Sequence, residues 1–190
     1  MKSCRRSVSS RRTWFVFVAL QLAGVLTALH ADAPGRRPSD PATAVVKRET
    51  PHLSFAATLT PAAVQPGTRI SVTVDVRPKR GMHVYAPGTQ YRPIAVDIEP
   101  GPLISVHDPV YPEPVRHLFK PLNEQVLVYK APFTLRRPIS VGEGEDQRRL
   151  IASRRTLEIR GTLRYQACDD RVCYLPMSIP LRWSVRLVQP

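Results

Sequence analysis

A chain of 190 residues suits one domain with flanking segments and excludes a large multidomain enzyme. Its 43 % hydrophobic content supplies a core, whereas 20 prolines oppose long helices and favour short extended segments joined by turns. Lysine plus arginine outnumber aspartate plus glutamate by 28 to 15, a formal +13, yet no run interleaves aromatic with basic residues, so a nucleic-acid platform is not expected.

Residues 1 to 33 carry the three parts of an export signal. A basic stretch runs through Arg12, an apolar run from Trp14 to Leu29, and small residues follow at Ala31 and Ala33. The apolar run is short for a membrane span and Gln21 interrupts it, so cleavage is expected near Ala31 to Ala33, with an uncleaved N-terminal anchor as the alternative. The paired Arg11-Arg12 also resembles a twin-arginine signal. Removing this segment takes away Cys4 and leaves a charge of about +9, spread in ones and twos. Residues 34 to 51, rich in Pro, Arg and Ala without an apolar period, are expected to form a disordered linker, and the folded domain is expected over 52 to 190.

Leu53 to Thr60 reads as a first strand, followed by a turn over Pro61 to Thr68. In Arg69 to Val76, apolar Ile70, Val72, Val74 and Val76 alternate with polar residues, the period of a strand with one buried face. Further strands are expected at Met82 to Tyr85, Ile94 to Glu99, Leu103 to His107, Gln125 to Tyr129 and Phe133 to Ile139, with a charged loop at Gly142 to Arg149. Alternation returns in Thr156 to Tyr165 and again through Leu181, Trp183, Val185 and Leu187; no twelve-residue window after the signal shows a helical period. This pattern describes an all-β, immunoglobulin-like antiparallel sandwich. A small closed barrel demands the same alternation and stays open as the alternative.

Export leaves two cysteines, Cys168 and Cys173, in an oxidising compartment that permits a bond between them. They flank Asp169-Asp170-Arg171-Val172, a four-residue turn between strands, and directly opposed residues of an antiparallel pair lie within disulfide range. Closing so small a ring stabilises a fold by roughly 2 kcal/mol, against roughly 4 kcal/mol for a bond spanning about 60 residues. The pair is therefore a poor staple and suits a redox couple better. Arg164 and Arg171 favour a thiolate while Asp169 and Asp170 oppose it, so no nucleophile is assigned. With no second cysteine pair, and His52, His83, His107 and His117 scattered, neither a metal nor a cofactor is expected. Tyr165 and Tyr174 flank the pair as candidate walls, although Tyr165 shares parity with the apolar face of its strand.

The run Tyr165-Gln166-Ala167-Cys168-Asp169-Asp170-Arg171-Val172-Cys173-Tyr174-Leu175-Pro176, followed by Ile179-Pro180-Leu181-Arg182-Trp183, resembles the N-terminal periplasmic domain of the thiol:disulfide interchange protein DsbD. Gly81 to Gly88 and His117 to Glu124 are similar to the same family, and the resemblance covers roughly residues 53 to 188. It implies a periplasmic, immunoglobulin-like domain, expected to be monomeric and free of cofactor. Such a domain acts as a disulfide reductase, taking electrons from a membrane thiol carrier on a separate chain and passing them to periplasmic thioredoxin-like or disulfide isomerase proteins. Cys168 and Cys173 match the active cysteines, and Phe119 matches the aromatic residue of a cap loop that covers the disulfide. The best-known members have one more residue between the cysteines. The rival of a different class is a binding or chaperone-like sandwich whose disulfide is purely structural.

Overall fold

The computed structural model describes residues 44–188; the expected signal and the linker up to residue 43 lie outside the described residues. In chain order the strands are β1 (Ala44–Glu49), β2 (Leu53–Thr60), β3 (Ala63–Val64), β4 (Thr68–Pro78), β5 (His83–Tyr85), β6 (Ala95–Ile98), β7 (Ile104–Val106), β8 (Val115–Phe119), β9 (Glu124–Tyr129) and β10 (Phe133–Val141). A helix, α1 (Glu145–Ala152), precedes β11 (Thr156–Tyr165), β12 (Ala167–Cys168) and β13 (Met177–Leu187). Among the described residues no helix is long and apolar enough to cross a membrane.

The strands form three sheets, ordered β1-β2-β4-β10-β7, β3-β13-β11-β6 and β12-β5-β9-β8, with every pairing antiparallel except the short β3–β13 contact. Among the described residues each sheet ends in edge strands and no barrel closes, and the expected all-β sandwich is present. Alternation builds its core. Ile70, Val72, Val74 and Val76 of β4 are buried together with Leu157, Ile159, Leu163 and Tyr165 of β11 and Leu181, Trp183, Val185 and Leu187 of β13, in one continuous cluster. Trp183 ties the two large sheets by donating its indole N–H to the Ala57 carbonyl at 3.2 Å. Gly161 is required on β11, because a Cβ there would stand 2.6 Å from the Asp97 carbonyl of β6.

Two expectations need correction. Ala44–Glu49, assigned to the linker, pairs along its whole length with β2. Its β-branched Val45-Val46 suits an edge strand and Val46 packs on the core, while charged Lys47, Arg48 and Glu49 keep the outer edge wet. The segment assigned to a charged loop holds α1, too short to reveal a period. Its supports are local: Glu145 and Asp146 lie in the first turn, Gln147 accepts the Gly144 N–H, Arg149 pairs with Glu145 at 2.5 Å, and Ile151 is fully buried.

The third sheet carries the cysteines. After Tyr165 the chain leaves β11, passes Gln166, and enters β12, which pairs with β5 so that Cys168 opposes His83. On β5, β9 and β8 the registers Tyr85↔Val128, Val128↔Val115, Val126↔His117 and Glu124↔Phe119 put Cys168, His83, Tyr85, Val126, Val128, His117 and Phe119 on one face.

Candidate functional site

Cys168 and Cys173 oppose each other in an antiparallel bridge, with Cα atoms 4.1 Å apart, and form a disulfide. Two backbone bonds frame the hairpin, from Asp169 N–H to the Val172 carbonyl at 3.0 Å and from Tyr174 N–H to the Ala167 carbonyl at 2.9 Å. The expected four-residue turn is therefore present. Its two cysteines are not equivalent: Cys168 is fully buried, whereas Cys173 is half-buried.

Asp169 organises the turn. Its Oδ1 accepts the N–H groups of Arg171 and Val172, both at 2.7 Å, and its Oδ2 accepts the Tyr174 hydroxyl at 2.9 Å. The two backbone N–H groups, with the phenol third, hold this carboxyl below the usual carboxylate range. The charge that sequence reasoning set against a thiolate is thus engaged in holding the loop.

Cys168 belongs to a small buried cluster with Tyr85, Phe119, Val126 and Val128, against which Tyr91 and Cys173 pack. Phe119, 5 % exposed, ends β8 just before a 3-10 turn over Lys120–Leu122, and Asn123 closes that turn in the left-handed region at φ 50°. An asparagine tolerates that conformation better than most residues. Phe119 shares this buried cluster with Cys168. Tyr174 follows Cys173 in the hairpin, its hydroxyl on Asp169 and its ring 4.5 Å from that of His52. Tyr165 lies in the main core, its hydroxyl donating to Thr50 Oγ1 at 2.9 Å, outside the cluster that holds Cys168.

Tyr85 escaped the sequence reading as a site residue. Its hydroxyl lies 3.2 Å from Cys168 Sγ and 3.2 Å from Cys173 Sγ, and because disulfide sulfurs carry no proton the phenol is the donor. Burial, then Tyr91 and Glu124, push its pKa up to about 12, so it stays a neutral donor. Its ring stacks on Tyr91 at 4.4 Å and 10°, and Tyr91 in turn donates to Glu124 Oε2 at 2.5 Å. The only hint in the sequence was parity, since Tyr85 and His83 share one face of a short strand.

His83 and His117 cover the same face. His83 is 2 % exposed and its ring lies 4.6 Å from that of His117. Burial, followed by His117 and Lys130, pushes the His83 pKa down to about 4, against a weaker pull from Asp170 and Asp169. Among the described residues no group of three or more His, Cys, Asp or Glu is placed to hold a metal ion.

A family model described as "Thiol:disulfide interchange protein DsbD, N-terminal" matches residues 53–179. Among solved structures, the reduced DsbD n-terminal domain of Neisseria meningitidis is 20 % identical with a TM-score of 0.45, the match covering 70 % of this chain and 86 % of that one. The N-terminal periplasmic domain of ScsB from Proteus mirabilis is 13 % identical with a TM-score of 0.49, covering 76 % of this chain and 51 % of that one, so the chain spans about half of the ScsB structure. No curated protein matches in sequence.

Proposed function

The chain belongs to the DsbD N-terminal domain family, and on that premise we propose that it is a periplasmic thiol-disulfide exchange domain, passing reducing equivalents from a membrane thiol carrier to periplasmic thiol proteins through Cys168 and Cys173. The observation that carries this reading is a locally closed disulfide between one buried and one half-buried cysteine, both sulfurs within reach of a neutral hydroxyl donor.

The exposure difference supports an order of events. A thiolate of the reduced carrier attacks Cys173 Sγ; the Cys168–Cys173 bond breaks and Cys168 leaves as a thiolate, to which Tyr85 O–H can donate. The carrier's second thiolate then attacks its own sulfur in the mixed disulfide and releases Cys173. Two electrons have entered the pair, and the two thiolates take up two protons. The reduced pair repeats the sequence on an acceptor disulfide, with Cys173 attacking and Cys168 closing the ring. Phe119, over Cys168 in the resting state, acts as the cap that a partner displaces.

Cys168→Ser should trap a mixed disulfide through Cys173, detectable by mass spectrometry on mixing with a thioredoxin-like disulfide protein, while Cys173→Ser should trap none. Equal trapping by both variants would overturn the assignment, and full turnover in either would overturn the function. The rival, a binding sandwich with a structural bond, predicts a midpoint potential below about −300 mV.

A further inference from the structure

β8 is the edge strand of its sheet, paired to β9 alone, whereas β5 is held on both sides, by β12 and by β9. His117 and Phe119 lie two residues apart on β8 and so project to the same face. His117 meets His83 of β5 ring to ring, at 4.6 Å and 63°.

Neither ring is built to take a second proton there. Both Nε2 atoms are buried without a hydrogen-bond partner. Lys130 Nζ stands 2.6 Å from His117 Nδ1, and since an ammonium only donates, Nδ1 must accept, which puts the imidazole in its neutral Nε2–H form. The groups facing the pair are the Lys130 ammonium after β9, the neutral Tyr85 phenol on β5, and Asp169 and Asp170 of the cysteine loop. Asp169 is committed to its own turn, and Asp170, the nearer carboxylate to His117, is 4.0 Å away and 80 % exposed, hence solvent-screened. Two imidazolium ions in contact beside an ammonium have no buried counter-charge.

We propose that the His83–His117 contact is an acid-sensitive latch on the cap: protonation drives the two rings apart, edge strand β8 swings away from β5, and Phe119 leaves Cys168, opening the disulfide to attack. The latch rests on the cap role given to Phe119 above. Its sign follows from linkage. Both imidazoles are held below the ordinary histidine value of 6.5, in each case chiefly by burial, so the closed form binds protons more weakly than the open form. Closure is fully supported above about pH 6.5 and is lost as pH falls toward the His83 value of about 4.

From His83 alone, the balance between open and closed forms shifts by about thirtyfold between pH 7.5 and pH 5. The test is the rate at which tris(2-carboxyethyl)phosphine reduces the Cys168–Cys173 bond across that range, divided by its rate on an unhindered disulfide peptide at the same pH, with circular dichroism confirming that the domain stays folded. The normalised rate of the wild type should rise at least tenfold on acidification, and His83→Phe and His117→Phe, which keep a ring but cannot titrate, should flatten the rise. A flat wild-type profile, or a rise that persists in both variants, would overturn the latch. If His83→Phe does not fold, His117→Phe decides together with wild-type amide signals of Arg116 to Phe119, which must broaden as pH falls. A phosphine reduces any accessible disulfide, so failure of the thiol-exchange reading and failure of the latch are told apart.

Discussion

Replacing Tyr85 by Phe removes one hydroxyl and leaves the ring stacked on Tyr91, which makes it the sharpest test of the sulfur environment. The hydroxyl is 3.2 Å from each sulfur and is buried, so on the proposed exchange it is within reach of whichever cysteine carries charge. A hydrogen bond to a charged group contributes about 1.5–3 kcal/mol, equivalent to one to two units of thiol pKa at about 1.4 kcal/mol per unit. With a leaving-group sensitivity of roughly one half, exchange should slow by about three- to tenfold. In the disulfide form the same hydroxyl meets only neutral sulfur, so stability should fall by no more than about 1 kcal/mol. Ultraviolet thiolate absorbance during a pH titration of the reduced domain reads the first quantity, stopped-flow reduction by dithiothreitol the second, and urea unfolding the third. A folded Tyr85→Phe domain with unchanged thiol titration and unchanged exchange rate would refute the role given to the phenol.

Phe119→Ala should cost about 3 kcal/mol as a buried aromatic truncation and should speed alkylation of the reduced pair by small thiol reagents severalfold; an unchanged alkylation rate removes the cap. Asp169→Ala should loosen the cysteine turn by taking the acceptor from Arg171, Val172 and Tyr174, seen as faster amide exchange at Arg171 and Val172 and a severalfold shift toward the dithiol in equilibrium with glutathione. The same contacts give the turn a pH dependence of known sign. Because the Asp169 carboxyl is held below its ordinary range, turn order is complete above the usual carboxylate pKa and is lost as pH falls through the depressed value.

Long alternating strands were the legible part of the fold. β2, β4, β11 and β13 bury every second side chain against one core, and period two announces that burial directly in the residue order. β8 went unseen because Val115, Arg116 and Leu118 of this edge strand are exposed and only Phe119 is in the buried class, which leaves no alternation to find. The two-residue strands β3 and β12 are too short to carry a period at all. At the site, the spacing of Cys168 and Cys173 announced the ring, but parity could not tell which buried cluster an inward residue joins. Tyr165 and Tyr85 are both fully buried strand tyrosines, and register alone sends one to the main core and the other to the sulfurs.

That division into two clusters bears on how little of the fold a bond at this place supports. A disulfide that stapled the sandwich would join strands of the main core, and its reduction would release a long loop of chain. Here the main cluster runs through the two large sheets and includes neither cysteine, while Cys168 sits in the satellite cluster with Phe119 and Cys173 packs against it. Trp183, Ile159 and Val74 belong to the main cluster and not to that satellite. The strand between the two clusters is held by its own pairings on both flanks and has Val84 in one and Tyr85 in the other. On the proposed exchange, opening the pair would therefore remove only the small contribution of a short ring, roughly 2 kcal/mol, and leave the main core in place.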